Sequence, residues 1–393
     1  MDFSLNPEQQ EIQDRARRFV DEVCMPLEAE WPLSDYDADP KVMAHLREKF
    51  TEFGFRGLAI PSEAGGKGAG TVAKCLIFEE FKRSWILFGN TVTWSAFLDP
   101  HPALWLAPAW QKEKYLQPIL EGKTQYHICI SEPGYGSDVA GIETTAVRQG
   151  DHFVLNGIKR WSPDPFHPFT AASYLLVYAV TDPGKGYKGI STFLVDWPSD
   201  GIEVMNVKET ASPGSFLGRV ADLKFDNVKI PAENLLGELN SGFKYVQDQL
   251  NRNRTVIAAG NVGSAKRALA IAIDYAKKRE SFGAPLADRQ VIQFRLAEMA
   301  TEIEMSRALA YKAAWKIDQG MDARVEAAMA KAYCPKIACD VMDRTIQILG
   351  GVGVLRENRL PEAYFISRMS QIAEGSVEMM KMTVAKSLLG AWG

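Results

Sequence analysis

From Pro7 to about Gln125, apolar positions recur with helical spacing, broken at Pro61-Ser62-Glu63-Ala64-Gly65-Gly66 and at Asp99-Pro100. From Tyr126 the period shortens. Ile128 and Ile130 alternate, and Phe153-Val154-Leu155 runs into Asn156-Gly157, a dipeptide that predicts a hairpin turn. Tyr174–Val180, Ser191–Asp196, Ile202–Met205 and Leu223–Ile230 have strand length and β-branched or aromatic content, with Gly and Pro between them. After Gly237 the helical period returns, most clearly as Ile292, Leu296, Met299 and Ile303 on one face. Pro335, inside a helical stretch from Arg324 to Leu349, predicts a new helix or a kink there. The pattern gives an α+β multidomain chain: helical over 1–125, a small β domain over 126–236, and a bundle of long helices over 237–393.

The 393 residues agree with two or three packed domains. With 46% hydrophobic and 24% charged residues the chain has an ordinary globular composition, without repeats or low-complexity tails. A net charge of −4 gives no global basic field, which argues against nucleic acid and anionic membrane as partners but leaves room for a local phosphate site. The five cysteines (24, 75, 129, 334 and 339) form no Cys-x-x-Cys pair, so neither a disulfide framework nor a zinc or other metal site is expected. The start Met1-Asp2-Phe3-Ser4, running into Glu8, Glu11 and Asp14, lacks the features of a signal peptide, and the longest compact apolar run, Tyr174–Val180, is far shorter than a membrane span. A cytoplasmic protein is the expectation.

Candidate chemistry sits in a few segments. Ser131-Glu132-Pro133-Gly134-Tyr135-Gly136-Ser137-Asp138-Val139-Ala140-Gly141 ends a predicted strand, and its glycines and hydroxyls suit either a structural turn or a ligand-cradling loop. Lys159-Arg160-Trp161-Ser162-Pro163 puts a Trp before a proline-containing loop, either as core or as a stacking platform. Arg279-Glu280-Ser281-Phe282-Gly283, with Gln290 beyond, lies between two long helices. Its arginine suits a phosphate and its phenylalanine a ring; the alternative is a helix C-terminus capped by Gly283. Gln347-Ile348-Leu349-Gly350-Gly351-Val352-Gly353 is either a simple helix cap or backbone opened for a diphosphate. Finally, Glu374 in Gln371-Ile372-Ala373-Glu374-Gly375-Ser376-Val377-Glu378 precedes a predicted helix start, where an acid also simply favours the helix dipole.

In this order and this β-then-α context, the segments resemble the acyl-CoA dehydrogenase family over essentially the whole chain. The resemblance implies a helical N-terminal domain, a middle β-barrel or sandwich and a C-terminal four-helix bundle, with FAD as cofactor. Ser131, Ser137, Trp161 and Ser162 fall at flavin contacts, Ser137 also at the substrate. Arg279, Phe282, Gln290, Gln347 and Gly351 fall at the ADP half, and Ser376 and Glu378 at further cofactor contacts. Because that site is shared between protomers, a homodimer or homotetramer is implied. Glu374 aligns with the family's base, which removes the α-proton of an acyl-CoA thioester. Arg254 falls in the helix lining the CoA channel, and Gly375 at the substrate. Implied activity is α,β-dehydrogenation of an acyl-CoA, with electrons passed to an electron-transferring flavoprotein.

Several positions depart from the family pattern. Pro163 stands where many relatives have a Thr serving the flavin N5 region, Phe365-Ile366 replaces an Arg-Asp pair, Glu378 replaces a Gln, and Asn251 replaces an acid. These features resemble the divergent long-chain branch that includes acyl-CoA dehydrogenase family member eleven. The same fold also serves acyl-CoA oxidases, flavin monooxygenases and acyl-CoA desulfinases, and a non-catalytic helical assembly protein is the alternative from another class.

Overall fold

A computed structural model of the chain describes residues 4–30, 40–85, 100–163, 173–210 and 219–390. The expected break at Asp99 lies outside them. The longer helices are α1 (Pro7–Phe19), α2 (Pro40–Glu52), α3 (Gly70–Phe81), α4 (Gly242–Lys278), α5 (Gln290–Asp318), α6 (Arg324–Leu349), α7 (Leu360–Met369) and α8 (Val377–Leu388). Strands are β1 (Tyr126–Cys129), β2 (Thr145–Gln149), β3 (His152–Pro163), β4 (Tyr174–Val180), β5 (Ile190–Asp196), β6 (Ile202–Glu209), β7 (Arg219–Pro231), β8 (Leu235–Leu236), β9 (Glu280–Ser281) and β10 (Ala284–Pro285). The chain packs as two compact units, Asp37–Gly68 with Gly89–Gln249, and Met1–Tyr36 with Ala69–Phe88 and Leu250–Gly393. The helical first third is shared between them.

In the first unit, one sheet runs β6-β7-β3-β2-β4-β5-β8, with β1 pairing β4 in parallel. β4 is apolar throughout because both its faces are buried. Leu175, Val177 and Ala179 enter the core with Phe153, Phe193 and Phe225, while Tyr174 and Leu176 pack on the other side with Leu104, Tyr115 and Tyr126.

Asn156-Gly157 is not the turn. It lies inside β3, at a register shift against β7 between Leu155 and Gly157. A Cβ on Gly157 would sit 2.7 Å from the Cα of Thr144, so a close approach of backbones selects the glycine. The hairpin turn is Gly150-Asp151, with Gly150 at φ +65°, between β2 and β3. Pro163, expected in a loop, is the paired end of β3, opposite Val220.

The second unit is helical. Ile292, Met299 and Ile303 of α5 are buried with Val262 of α4 and Val341 and Met342 of α6, and Leu296 packs against the same cluster, as the spacing predicts. α6 is one helix from Arg324 to Leu349, with Pro335 buried inside it, so no new helix starts there. The missing Pro335 N–H costs the ladder only its bond to Lys331. α4 is long and apolar enough to cross a membrane by length and composition, but most of its apolar stretch is buried inside the protein. All five cysteines are free and buried.

Candidate active site

In the β unit the Ser131–Gly141 loop leaves β1 under the control of one buried carboxylate. Glu132 accepts from the backbone N–H groups of Glu143 (2.6 Å) and Thr144 (2.9 Å) and from Lys159 Nζ (2.7 Å), which also donates to the Ile130 carbonyl (3.2 Å). Both side chains are essentially inaccessible. Burial opposes the charge on Glu132, but Lys159 and the hydrogen bonds outweigh it and hold the carboxyl below its ordinary value.

The Arg160 N–H donates to the Ser131 carbonyl at 2.8 Å, which brings the loop and the Trp161 segment together. Trp161 sits in the bulge of β3 between Lys159 and Ser162, at φ +65° and 53% exposed. A large indole in that conformation is not part of the core. Arg160 is fixed beside it by a bidentate pair with Asp222 at 3.0 and 2.9 Å. Ser137 is exposed, and beyond the chain neighbours no atom of the described residues lies within 4 Å of where a Cβ would stand on Gly134 or Gly136. Ser162 points inward instead: its hydroxyl is buried, donates to the Pro163 carbonyl and lies 3.9 Å from Cys129 Sγ.

In the helical unit, Arg279 leads into the β9–β10 hairpin, whose turn is Phe282 (φ +50°) and Gly283 (φ +76°). Gly283 is therefore a hairpin residue and not a helix cap. Arg289, which the sequence reading passed over, holds the turn by donating to the carbonyls of Ser281 (2.8 Å) and Phe282 (3.2 Å). That leaves the Phe282 ring 98% exposed, with Arg279 and Gln290 also on the surface. Gln347 is exposed near the end of α6, followed by Gly350 at φ +62° and by Gly351, around which a Cβ would meet nothing. Among the described residues no hydrogen bond joins the Arg279–Gln290 segment to Gln347 or Gly351.

Glu374 lies between α7 and α8, in the left-handed region at φ +58°, followed by Gly375 at φ +103°. Any side chain on Gly375 would be strained, and its Cβ would come within 3.1 Å of Arg254 Nη2 and 2.8 Å of Met380 Cε. Arg254 Nε donates to the Glu374 carbonyl at 2.9 Å, Lys331 Nζ to the Gly375 carbonyl at 3.0 Å, and Asn253 Nδ2 to Glu374 Oε1 at 3.2 Å. Glu374 Oε2 is buried and has no hydrogen-bond partner among the described residues. Burial pushes its carboxyl above the ordinary value; Arg254, Lys331, Asn253 and Lys74 pull it back only in part. Ser376 caps α8, its hydroxyl accepting from the Met379 N–H at 3.4 Å, and Glu378 is exposed in the first turn of that helix.

Asn253 and Lys331 were missed. Their one sequence signal is Lys331 alone among Ala327, Ala328, Ala330 and Ala332 on a stretch too apolar for a solvated face.

The chain matches the family models described as Acyl-CoA dehydrogenase, N-terminal domain over residues 6–123, middle domain over 127–228 and C-terminal domain over 240–389. It is 35% identical to the caffeyl-CoA reductase-Etf complex subunit CarC of Acetobacterium woodii, over 91% of this chain and 93% of that one. It is 34% identical to a 3-(aryl)acrylate reductase of Clostridium sporogenes, over 96% and 97% of the two chains. Its fold superposes on butyryl-CoA dehydrogenase from Megasphaera elsdenii with a TM-score of 0.88 at 31% identity, covering 99% of this chain and 100% of the other. In the β unit the half-exposed indole and the uncrowded backbone at Gly134 and Gly136, and in the helical unit the uncrowded backbone at Gly351 and the bare ring of Phe282, each have a chemistry that suits flat rings or phosphates. The chain belongs to the acyl-CoA dehydrogenase family and is an FAD-dependent oxidoreductase of the acyl-CoA dehydrogenase type.

Proposed function

We propose that this enzyme exchanges hydrogen between FAD and the Cα–Cβ bond of an acyl-CoA thioester, with Glu374 as the base. One observation carries the reading: Glu374 offers a buried oxygen with no partner on a carboxyl whose proton affinity is raised. A thioester α-C–H is a weak acid, so a solvated carboxylate would be too feeble a base. Glu374 Oε2 takes the α-proton, and the Glu374 backbone N–H, which meets no acceptor among the described residues, is free to donate to the thioester oxygen as charge develops there. Bound FAD would supply the acceptor for the β-hydride. In the opposite direction the protonated Glu374 returns the proton to Cα, as the two reductases among the relatives would require by name.

In this reading Ser131, Ser137 and Trp161 hold the flavin ring, with Ser162 contributing through its main chain. Arg279, Phe282, Gln290, Gln347 and Gly351 hold the ADP half, and Ser376 and Glu378 set the helix start beside the site. Arg254 and Gly375 lie on the thioester side. Electrons pass to or from an electron-transferring flavoprotein, as the name of the Acetobacterium woodii complex suggests, and the enzyme works in the cytoplasm as a homodimer or homotetramer. Glu374→Gln keeps the backbone donor and the side-chain size but removes the proton acceptor. Flavin reduction by acyl-CoA under anaerobic conditions should slow by about 10²–10⁴-fold, with flavin content unchanged. Near wild-type reduction, together with undiminished exchange of the α-hydrogen in deuterium oxide, would put the base elsewhere.

A further inference from the structure

Lys331 is wholly inaccessible in α6, yet among the described residues it forms no ion pair. A buried ammonium costs several kcal/mol of desolvation unless strong partners offset it, and here its hydrogen-bond partner is a main-chain carbonyl. That carbonyl is Gly375's, and the carbonyl before it, Glu374's, is held by Arg254. Two cations from two helices thus fix two successive peptide planes, those on either side of Gly375. With both planes fixed, the left-handed turn that aims the Glu374 side chain can persist despite its strain.

We infer that Lys331 is a positioning residue for the base Glu374, fixing the turn through the Gly375 carbonyl while leaving both carboxylate oxygens free of a cation. This rests on the reading of Glu374 as the base. A lysine bonded directly to the carboxylate would hold it ionised and spend the lone pair that the proton needs. Bonded one residue along, it supplies a positive field without blocking the oxygen. The charged groups facing Glu374 are Arg254 from α4, Lys331 from α6 and Lys74 from α3. Lys331 itself is lowered to about 8, chiefly by burial, with Glu374 working to keep it charged and Arg254 against.

The sign follows. A nearby cation favours the carboxylate, so removing it raises the pKa of Glu374, and a base that must be ionised then loses activity at a higher pH. In the FAD-loaded enzyme, Lys331→Met should shift the acid limb of the flavin-reduction rate upward by about one pH unit. The plateau rate constant should fall at least about tenfold, because the turn is no longer held. Single-turnover rate constants belong to the flavin-containing fraction, so poor folding lowers their amplitude and not their value. Infrared titration of the protonated carboxyl band that Glu374→Gln removes gives a readout independent of turnover, and its midpoint should rise by the same amount. Lys331→Arg, which keeps a donor and a charge, should restore the wild-type limb. If Lys331→Met moves neither limb nor midpoint, whatever its rate, the lysine is merely structural and the inference falls. Fast flavin reduction by Glu374→Gln in the same assay would instead remove the base reading beneath it.

Discussion

Glu132, buried, and Glu374, half-buried with one oxygen sealed from solvent, each have a buried lysine close by, and they end in opposite states. At Glu132 the cation and two backbone N–H groups bond to the carboxylate itself, and the carboxyl is held below its usual value. At Glu374 the cations bond to the neighbouring carbonyls, one carboxylate oxygen has no partner, and the carboxyl is raised. Where the cations place their hydrogen bonds, and not their presence, thus separates Glu132, a strut, from Glu374, the base proposed above.

The largest effect that would break this comparison is at the strut. Lys159→Met leaves Glu132 buried without its counterion, and breaking such a pair costs about 3–5 kcal/mol. Urea denaturation should show that loss. It should also loosen the Ser131–Gly141 loop, so flavin retention should fall with stability. A loss below about 1 kcal/mol would mean that the two backbone donors alone sustain the carboxylate.

Glu132→Gln should cost less, about 1–3 kcal/mol, because the amide keeps an acceptor but loses the charge that Lys159 needs. Its pH dependence is more diagnostic than its size. A carboxyl lowered on folding contributes stability above its unfolded value of about 4.3, and that contribution is lost as pH falls through the folded value. Wild type and variant should therefore converge in stability as pH drops below about 4. Parallel curves would show that Glu132 is not held ionised.

Much of this could be read along the chain, and the unreadable part has a common cause. β4 announced itself because a strand buried on both faces is apolar at every position, and α5 because its buried face repeats at helical spacing. Asn156-Gly157 misled because Gly157 serves a contact with Thr144, which local turn chemistry does not encode. Family resemblance singled out Glu374 and Trp161 as candidates, but not what distinguishes the two glutamates. Lys159 meets Glu132 across 27 residues, Lys331 meets Gly375 across 44 and Arg254 meets Glu374 across 120. Such long-range pairs leave no local pattern; only the isolated lysine among alanines hinted at one.

The smallest effect sharpens the comparison most, because its sign is reversed. Glu374→Gln should remove the proposed base and yet leave the protein no less stable at neutral pH. The carboxyl is raised on folding, so its charged form is disfavoured in the native state, and the wild type pays that cost once pH exceeds the folded value. An amide carries no such penalty. Against this gain, the new NH₂ group sits where Oε2 already lacks a partner, and two unmet donors there offset part of it. A net gain of about 1 kcal/mol or less is expected at pH 7, disappearing below about pH 4, where the wild-type carboxyl is protonated in both folded and unfolded states. Urea midpoints of the two proteins at those two pH values measure it. If Glu374→Gln instead lost stability at pH 7 as Glu132→Gln does, Glu374 would be a second strut, and the contrast between the two glutamates would collapse.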